Sequence, residues 1–167
     1  MITRDYCLMM ARYNRWQSES MCGAAESLGS EERHKGRGVF FRSIVGTLNH
    51  ILWADVIWMS RFGDGNAPSI GIRASPSYTR DWQNFRAQRT DMDERIGGWA
   101  ERLNPGDLDG RRVWHSGTLN AQVERSFALC VMHFFNHQTH HRGQVHAMLT
   151  AAGARPDDTD LFMLETR

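Results

Sequence analysis

Residues 133–144 read His133-Phe134-Phe135-Asn136-His137-Gln138-Thr139-His140-His141-Arg142-Gly143-Gln144. On a helix, side chains four apart share a face with β-carbons about 5–6 Å apart, so His137 and His141 can direct two ring nitrogens at one ion. His133 lies on the same face one turn earlier, and spacing alone does not separate the pair 133/137 from 137/141. Working outward, this helix is expected to start at about Leu119 or Val123 and to end at Ala152, where Gly153 and Pro156 stop it. Two ligands on one helix need a third from another, so the remaining helices decide whether a site can form.

Three further segments read as helices once turn residues are used as punctuation. The first spans about residues 4–28, with Tyr6, Met9, Met10, Tyr13, Trp16, Met21 and Ala24 at helical spacing before Gly29-Ser30. The second runs from about Phe40 to Phe62 and is closed by Gly63-Asp64-Gly65-Asn66. A third is expected to begin near Ser75-Pro76, a serine cap followed by a proline suited to the first turn, and to end before Asn104-Pro105-Gly106. Between the third and fourth helices, Arg111–His115 followed by Ser116-Gly117 has the pattern of a small β-hairpin. Four long helices with modest connections predict an all-α four-helix bundle, and bundles build sites from side chains on facing helices.

The second helix offers a candidate for the third ligand. Phe41, Ile44, Val45, Leu48, Leu52 and Met59 form one apolar stripe, and Gly46, His50, Trp53 and Ile57 lie opposite. A helix apolar on two sides is buried on two sides, which places His50 inside the bundle. It is the only histidine within the other three expected helices. Gly46, Thr47 and Ala54 are small and would leave room beside its imidazole. A His-x-x-x-His alone is more often a surface pair than a metal site; a buried third histidine changes that balance. Imidazoles suit zinc, nickel, copper and iron, and three protein ligands leave a position for water or substrate.

The other candidates have plainer readings. His34 and His115 fall in expected loops and should face solvent, whereas His140 and His146 are packing residues or support the ligands. Cys130 is a small core residue. Asp55 lies in the apolar stripe and must be paired; orienting a histidine and pairing with Arg142 are the two options. Trp16, Trp53, Trp58, Tyr13 and Phe134 belong to the core before they belong to a pocket.

Composition bounds the rest. With 167 residues the chain has the length of one domain, 1–167, able to bury a core without staples. Twenty Lys and Arg against nineteen Asp and Glu leave no one-sided charge to draw it to nucleic acid or an anionic membrane. Cys7, Cys22 and Cys130 are odd in number and at no metal or redox spacing, so free thiols in a reducing, cytoplasmic setting are expected. The opening residues carry no signal-like segment, and no apolar run is long enough to span a bilayer.

Taken together, Ala11-Arg12-Tyr13-Asn14-Arg15-Trp16, Gly46-Thr47-Leu48-Asn49-His50-Ile51-Leu52-Trp53-Ala54-Asp55 and Asn136–Gln144 resemble the DinB/YfiT-like family over nearly the whole chain. Gly153-Ala154-Arg155-Pro156 with Asp160-Leu161 is similar to that family's exit from its last helix. The resemblance implies an up-down-down-up bundle, often a homodimer, holding one divalent metal (zinc or nickel, with manganese an alternative) on His50, His137 and His141 in preference to His133. It further implies a small-molecule substrate and thiol S-transferase or isomerase chemistry with a low-molecular-weight thiol. Two other functions compete: a hydrolase activating water, with Asp55 or Glu19 as base, and a non-catalytic metal-binding stress-response protein whose fourth ligand would be His133 or Cys130.

Overall fold

The computed structural model describes residues 2–117 and 119–166, which are mostly helical with a small two-stranded antiparallel sheet. The order is α1 (Arg4–Glu26), α2 (Ser30–His34), α3 (Ile44–Arg61), a 3₁₀ turn (Ile72–Ser77), α4 (Trp82–Arg102), a 3₁₀ turn (Asp107–Asp109), β1 (Arg111–Ser116), β2 (Ala121–Ser126), α5 (Phe127–Ala151) and a final 3₁₀ turn (Leu161–Thr166).

Each long helix begins where a side chain can take up a backbone N–H that has no partner within the helix. Thr3, Ser43, Asp81 and Ser126 accept from the amides of Tyr6, Gly46, Asn84 and Leu129. These caps correct three expected boundaries. α3 starts at Ile44 instead of Phe40, because Arg42 takes a left-handed φ of 70° that breaks the helix before the Ser43 cap. Ser75-Pro76 form part of a 3₁₀ turn, and α4 starts at Trp82 behind Asp81. The segment expected to open the last helix at Leu119 or Val123 is instead largely β2, which pairs with β1 from Arg111↔Ser126 to Ser116↔Ala121. The hairpin expected around Arg111–His115 is therefore present. Its turn uses Asn120 at φ 47°, a conformation asparagine tolerates better than most residues. α2 is an additional short, polar helix that carries His34 on an exposed face.

The four long helices enclose one hydrophobic core. α1 packs on α4 and α5, and α3 packs on the same two. Along α1 and α4 the contacts run in opposite order: Arg4 donates to the Glu101 carbonyl (3.0 Å), and Glu26 pairs with Arg86. Along α1 and α5 they run in the same order, Tyr6 meeting Phe135 and Asn14 meeting Gln138. α3 and α5 are opposed, with His50 at His137 and Phe62 at Phe127. α3 and α4 run together, with Asp55 at Arg89 and Phe62 at Trp99. Among the described residues no helix is long and apolar enough to cross a membrane. Cys7, Cys22 and Cys130 are buried free thiols.

Polar side chains link all four helices inside this core. Arg89 (α4) donates to Asp55 (α3) at 2.5 Å and grips Asp93 (α4) through two nitrogens at 3.1 and 2.8 Å. Gln138 (α5) donates to the other Asp55 oxygen at 2.7 Å, and Asn14 (α1) bridges Gln138 to Arg142. Asp55 thus pairs with Arg89 and Gln138, neither orienting a histidine nor contacting Arg142 directly. Burial works against the charge on Arg89, yet the carboxylates of Asp93 and Asp55 hold its proton tightly. Removing one member of a buried ion pair leaves an uncompensated charge in a dry interior. Arg89→Met should therefore lower the unfolding free energy by about 3–5 kcal/mol, read as a lower midpoint in urea denaturation.

Candidate metal centre

α5 contributes His137 and His141, one helical turn apart, and α3 contributes His50 from the face opposite its main stripe. The ligand nitrogens of these three residues all lie within 4.8 Å of one another, so the group could hold a metal ion. The Nε2 atoms of His50 and His137 are 3.3 Å apart. Bond lengths of about 2.0–2.1 Å around a tetrahedral zinc imply nitrogen separations of about 3.3–3.4 Å, so this pair already has a suitable span. His133 is outside the group. Its ring packs on Trp58 at 4.9 Å, toward the hairpin, where Arg61 lies between Trp58 and Trp114.

Two polar residues orient the rings. Ser75 Oγ lies 2.9 Å from His50 Nδ1, which leaves Nε2 directed at His137. Gln144 Oε1 is 2.9 Å from His141 Nδ1; an amide oxygen only accepts, so Nδ1 carries the proton and Nε2 keeps its lone pair. Hydrogen bonding at the far ring nitrogen is the usual way a ligating histidine is held in the right tautomer. Sequence reading missed both residues. Gln144 was visible in principle, three positions after His141 on the same helix, whereas Ser75 reaches His50 only through tertiary folding.

The space beside His50 is not left open by small residues, as the sequence suggested. Phe41 occupies it, its ring stacked on His50 at 3.7 Å between centroids and edge-on to His141 at 5.4 Å. Gly46 serves this arrangement: a β-carbon there would sit 2.2 Å from the Phe41 carbonyl oxygen. The other aromatics divide. Trp53 lies 5.9 Å from His50 by ring centroid, while Tyr13 and Trp16 bind the C-terminal segment, donating to Thr159 and Asp157. Phe134 is core, packed on Phe62. Glu19 is exposed on α1, outside the histidine group, and Asp55 is committed to Arg89 and Gln138. Cys130 is buried outside the histidine group, and His115 is exposed on β1.

Burial keeps these imidazoles neutral. Desolvation, reinforced by the neighbouring His141, pushes His50 down to about 3. His137 also falls to about 3 through desolvation and then the surrounding histidines, and burial lowers His141 as well. In the unfolded chain each would titrate near 6.5. The unfolded state therefore binds more protons than the folded state as pH falls below that value, and stability is lost on acidification. Metal-free protein should melt at a lower temperature at pH 5 than at pH 7, and His50→Gln/His137→Gln should show a smaller decrease; thermal denaturation at the two pH values checks both.

Comparison with known proteins shows the family. The DinB family model matches residues 1–166. Protein DinB of Bacillus subtilis (strain 168) is similar, with 22% identity over 169 residues, covering 98% of this chain and 96% of that protein. No solved structure matches.

Proposed function

This chain belongs to the DinB family, and we propose that it is a metalloenzyme in which His50, His137 and His141 hold one divalent transition metal and a low-molecular-weight thiol is the reactant. The observation that carries the reading is the convergence of three neutral imidazoles from two helices on one point, two of them oriented by hydrogen bonds at their far nitrogens. In the same reading the protein is a single-domain, up-down-down-up four-helix bundle, supported by the contact order along the helix pairs. A cytoplasmic homodimer acting on a small molecule is the expectation carried by family membership.

A divalent ion on three neutral imidazoles lowers the pKa of a thiol or water held at its remaining position. The residues of the chain do the rest. His50, His137 and His141 offer lone pairs without first losing protons, because burial has already removed them. Ser75 and Gln144 set ring orientation, and Phe41 covers His50 and His141 with an apolar face that excludes water. Thiol transfer is favoured over hydrolysis because Asp55, the buried candidate base, is tied into the ion-pair network and Glu19 is exposed. A closed structural ion is disfavoured too, since His133 packs on Trp58 and Cys130 lies outside the histidine group.

Metal content of untagged protein tests the site. About one ion per chain is expected in wild type and His133→Ala, and none in folded His50→Ala or His137→Ala; folded wild type that takes up no zinc, nickel or manganese would refute the reading. Ser75→Ala should weaken metal affinity roughly 10–100-fold, as loss of a partner behind a ligating histidine typically does, measured by chelator competition. For the thiol, a sulfur-to-cobalt charge-transfer band should appear when cobalt-substituted protein is titrated with 2-mercaptoethanol, and saturable binding should be lost in His137→Ala.

A further inference from the structure

A cleft of about 1170 Å³ lies between α2, the segment leading into α3, and the connection from α3 to α4. Two of its walls also touch the candidate metal centre. Phe41 lines the cleft while its ring rests on His50 and His141. The turn Ile72–Ser77, which supplies Pro76 and Arg73 to the cleft, also carries the Ser75 hydroxyl that orients His50.

Charge in this cleft is unbalanced. Arg42, Arg73 and Arg80 line it, against the single carboxylate of Asp81. Arg80 is bound to Asp81 at 2.9 Å, and that carboxylate also caps α4. Among the described residues Arg42 and Arg73 form no ion pair. Arg42 is held at φ 70°, in the turn that leads into α3. Trp82, another lining residue, contributes ring surface: it stacks on Phe85 with centroids 5.2 Å apart and carries the Arg33 guanidinium over its face. Flanking these polar groups, Phe40 is 84% exposed and Ile72 49% exposed. Large apolar side chains left to solvent around a concave, charged surface are a mark of ligand recognition.

We infer that this cleft binds an aromatic or apolar organic anion, its acidic group held by Arg42 and Arg73 and its apolar body lying against Phe40 and Ile72. Identifying that anion as the enzyme's electrophilic substrate rests on the metalloenzyme reading above; the binding chemistry itself does not. Phe41 then separates the bound anion from the histidines and is the side chain that must turn aside for the two to meet.

Fluorescence titration with anilinonaphthalene sulfonate and with its uncharged counterpart, N-phenylnaphthylamine, tests the assignment on the full-length protein. The sulfonate should bind saturably at one site at least tenfold more tightly than the neutral probe. Arg42→Asn/Arg73→Gln should abolish that preference while leaving circular dichroism unchanged and without lowering the melting temperature, since both arginines are exposed and asparagine tolerates the left-handed φ. Equal affinity for the two probes, or an unchanged preference in the double variant, would overturn the proposal. His137→Ala should bind the sulfonate as wild type does. Loss of metal with the preference retained separates the two ideas, as does metal retained with no preference: the first supports the cleft, the second refutes it and leaves the metal reading standing.

Discussion

The interaction on which the rest depends is the buried chain of polar contacts from Asp93 through Arg89, Asp55, Gln138 and Asn14 to Arg142. It touches all four long helices, and its charges, two arginines and two aspartates, balance within the core. Apolar packing is tolerant of small rotations and slides; a hydrogen-bonded ion pair in a dry interior is not, because a half-made contact leaves a charge without compensation. Gln138 and Arg142 each follow a candidate ligand, His137 and His141, by one residue. At about 100° per residue, anchoring the two polar residues toward Asp55 and Asn14 sets the direction in which the two histidines face. Asp55 lies on the same helix as His50, so one contact, Gln138 to Asp55, sets both the rotation of α5 and its register against α3.

That dependence explains what could be read in advance. Spacing alone brought His137 and His141 onto one face, and the two-sided apolar character of α3 placed His50 indoors, where it is 2% exposed. The balanced charge of the core network was hidden for a physical reason. Arg89 and Asp93 stand four apart in a helix rich in charged residues, the usual signature of a solvent-facing ion pair. Only the approach of Asp55 from α3 makes them interior groups. Ser75 was concealed in the same manner: a serine before a proline reads as a helix cap, but its hydroxyl is used by His50, and Asp81 performs the capping instead. Local rules fail at the positions where a tertiary partner outbids the local one.

Phe41 and Gly46 show how a departure from local preference is built into the site. The chain must reverse sharply before α3, which places Arg42 in the left-handed region and brings the Phe41 carbonyl so close to residue 46 that no β-carbon fits there. The result is an aromatic ring laid flat on His50, where it lowers the polarity around the imidazole and favours its neutral form. A glycine that reads as spare room in the sequence is, in the fold, what allows that room to be filled. The same turn leaves Arg42 facing the neighbouring cleft, so a single backbone constraint shapes both sides of Phe41.

His50 sits between Phe41 and Ser75, and both belong to segments that also line the cleft, so the candidate metal centre and the cleft share two walls. A ligand that displaces Phe41 would uncover His50 and His141 together, and one that shifts the turn carrying Ser75 would alter the hydrogen bond behind His50. The network through Asp55 and Gln138 meanwhile ties α3 to α5, independently of the two covering segments. Candidate ligands carried on helices tied together by buried ion pairs, beneath a cover contributed by turns, is the division of labour expected where a site must be both preorganised and accessible.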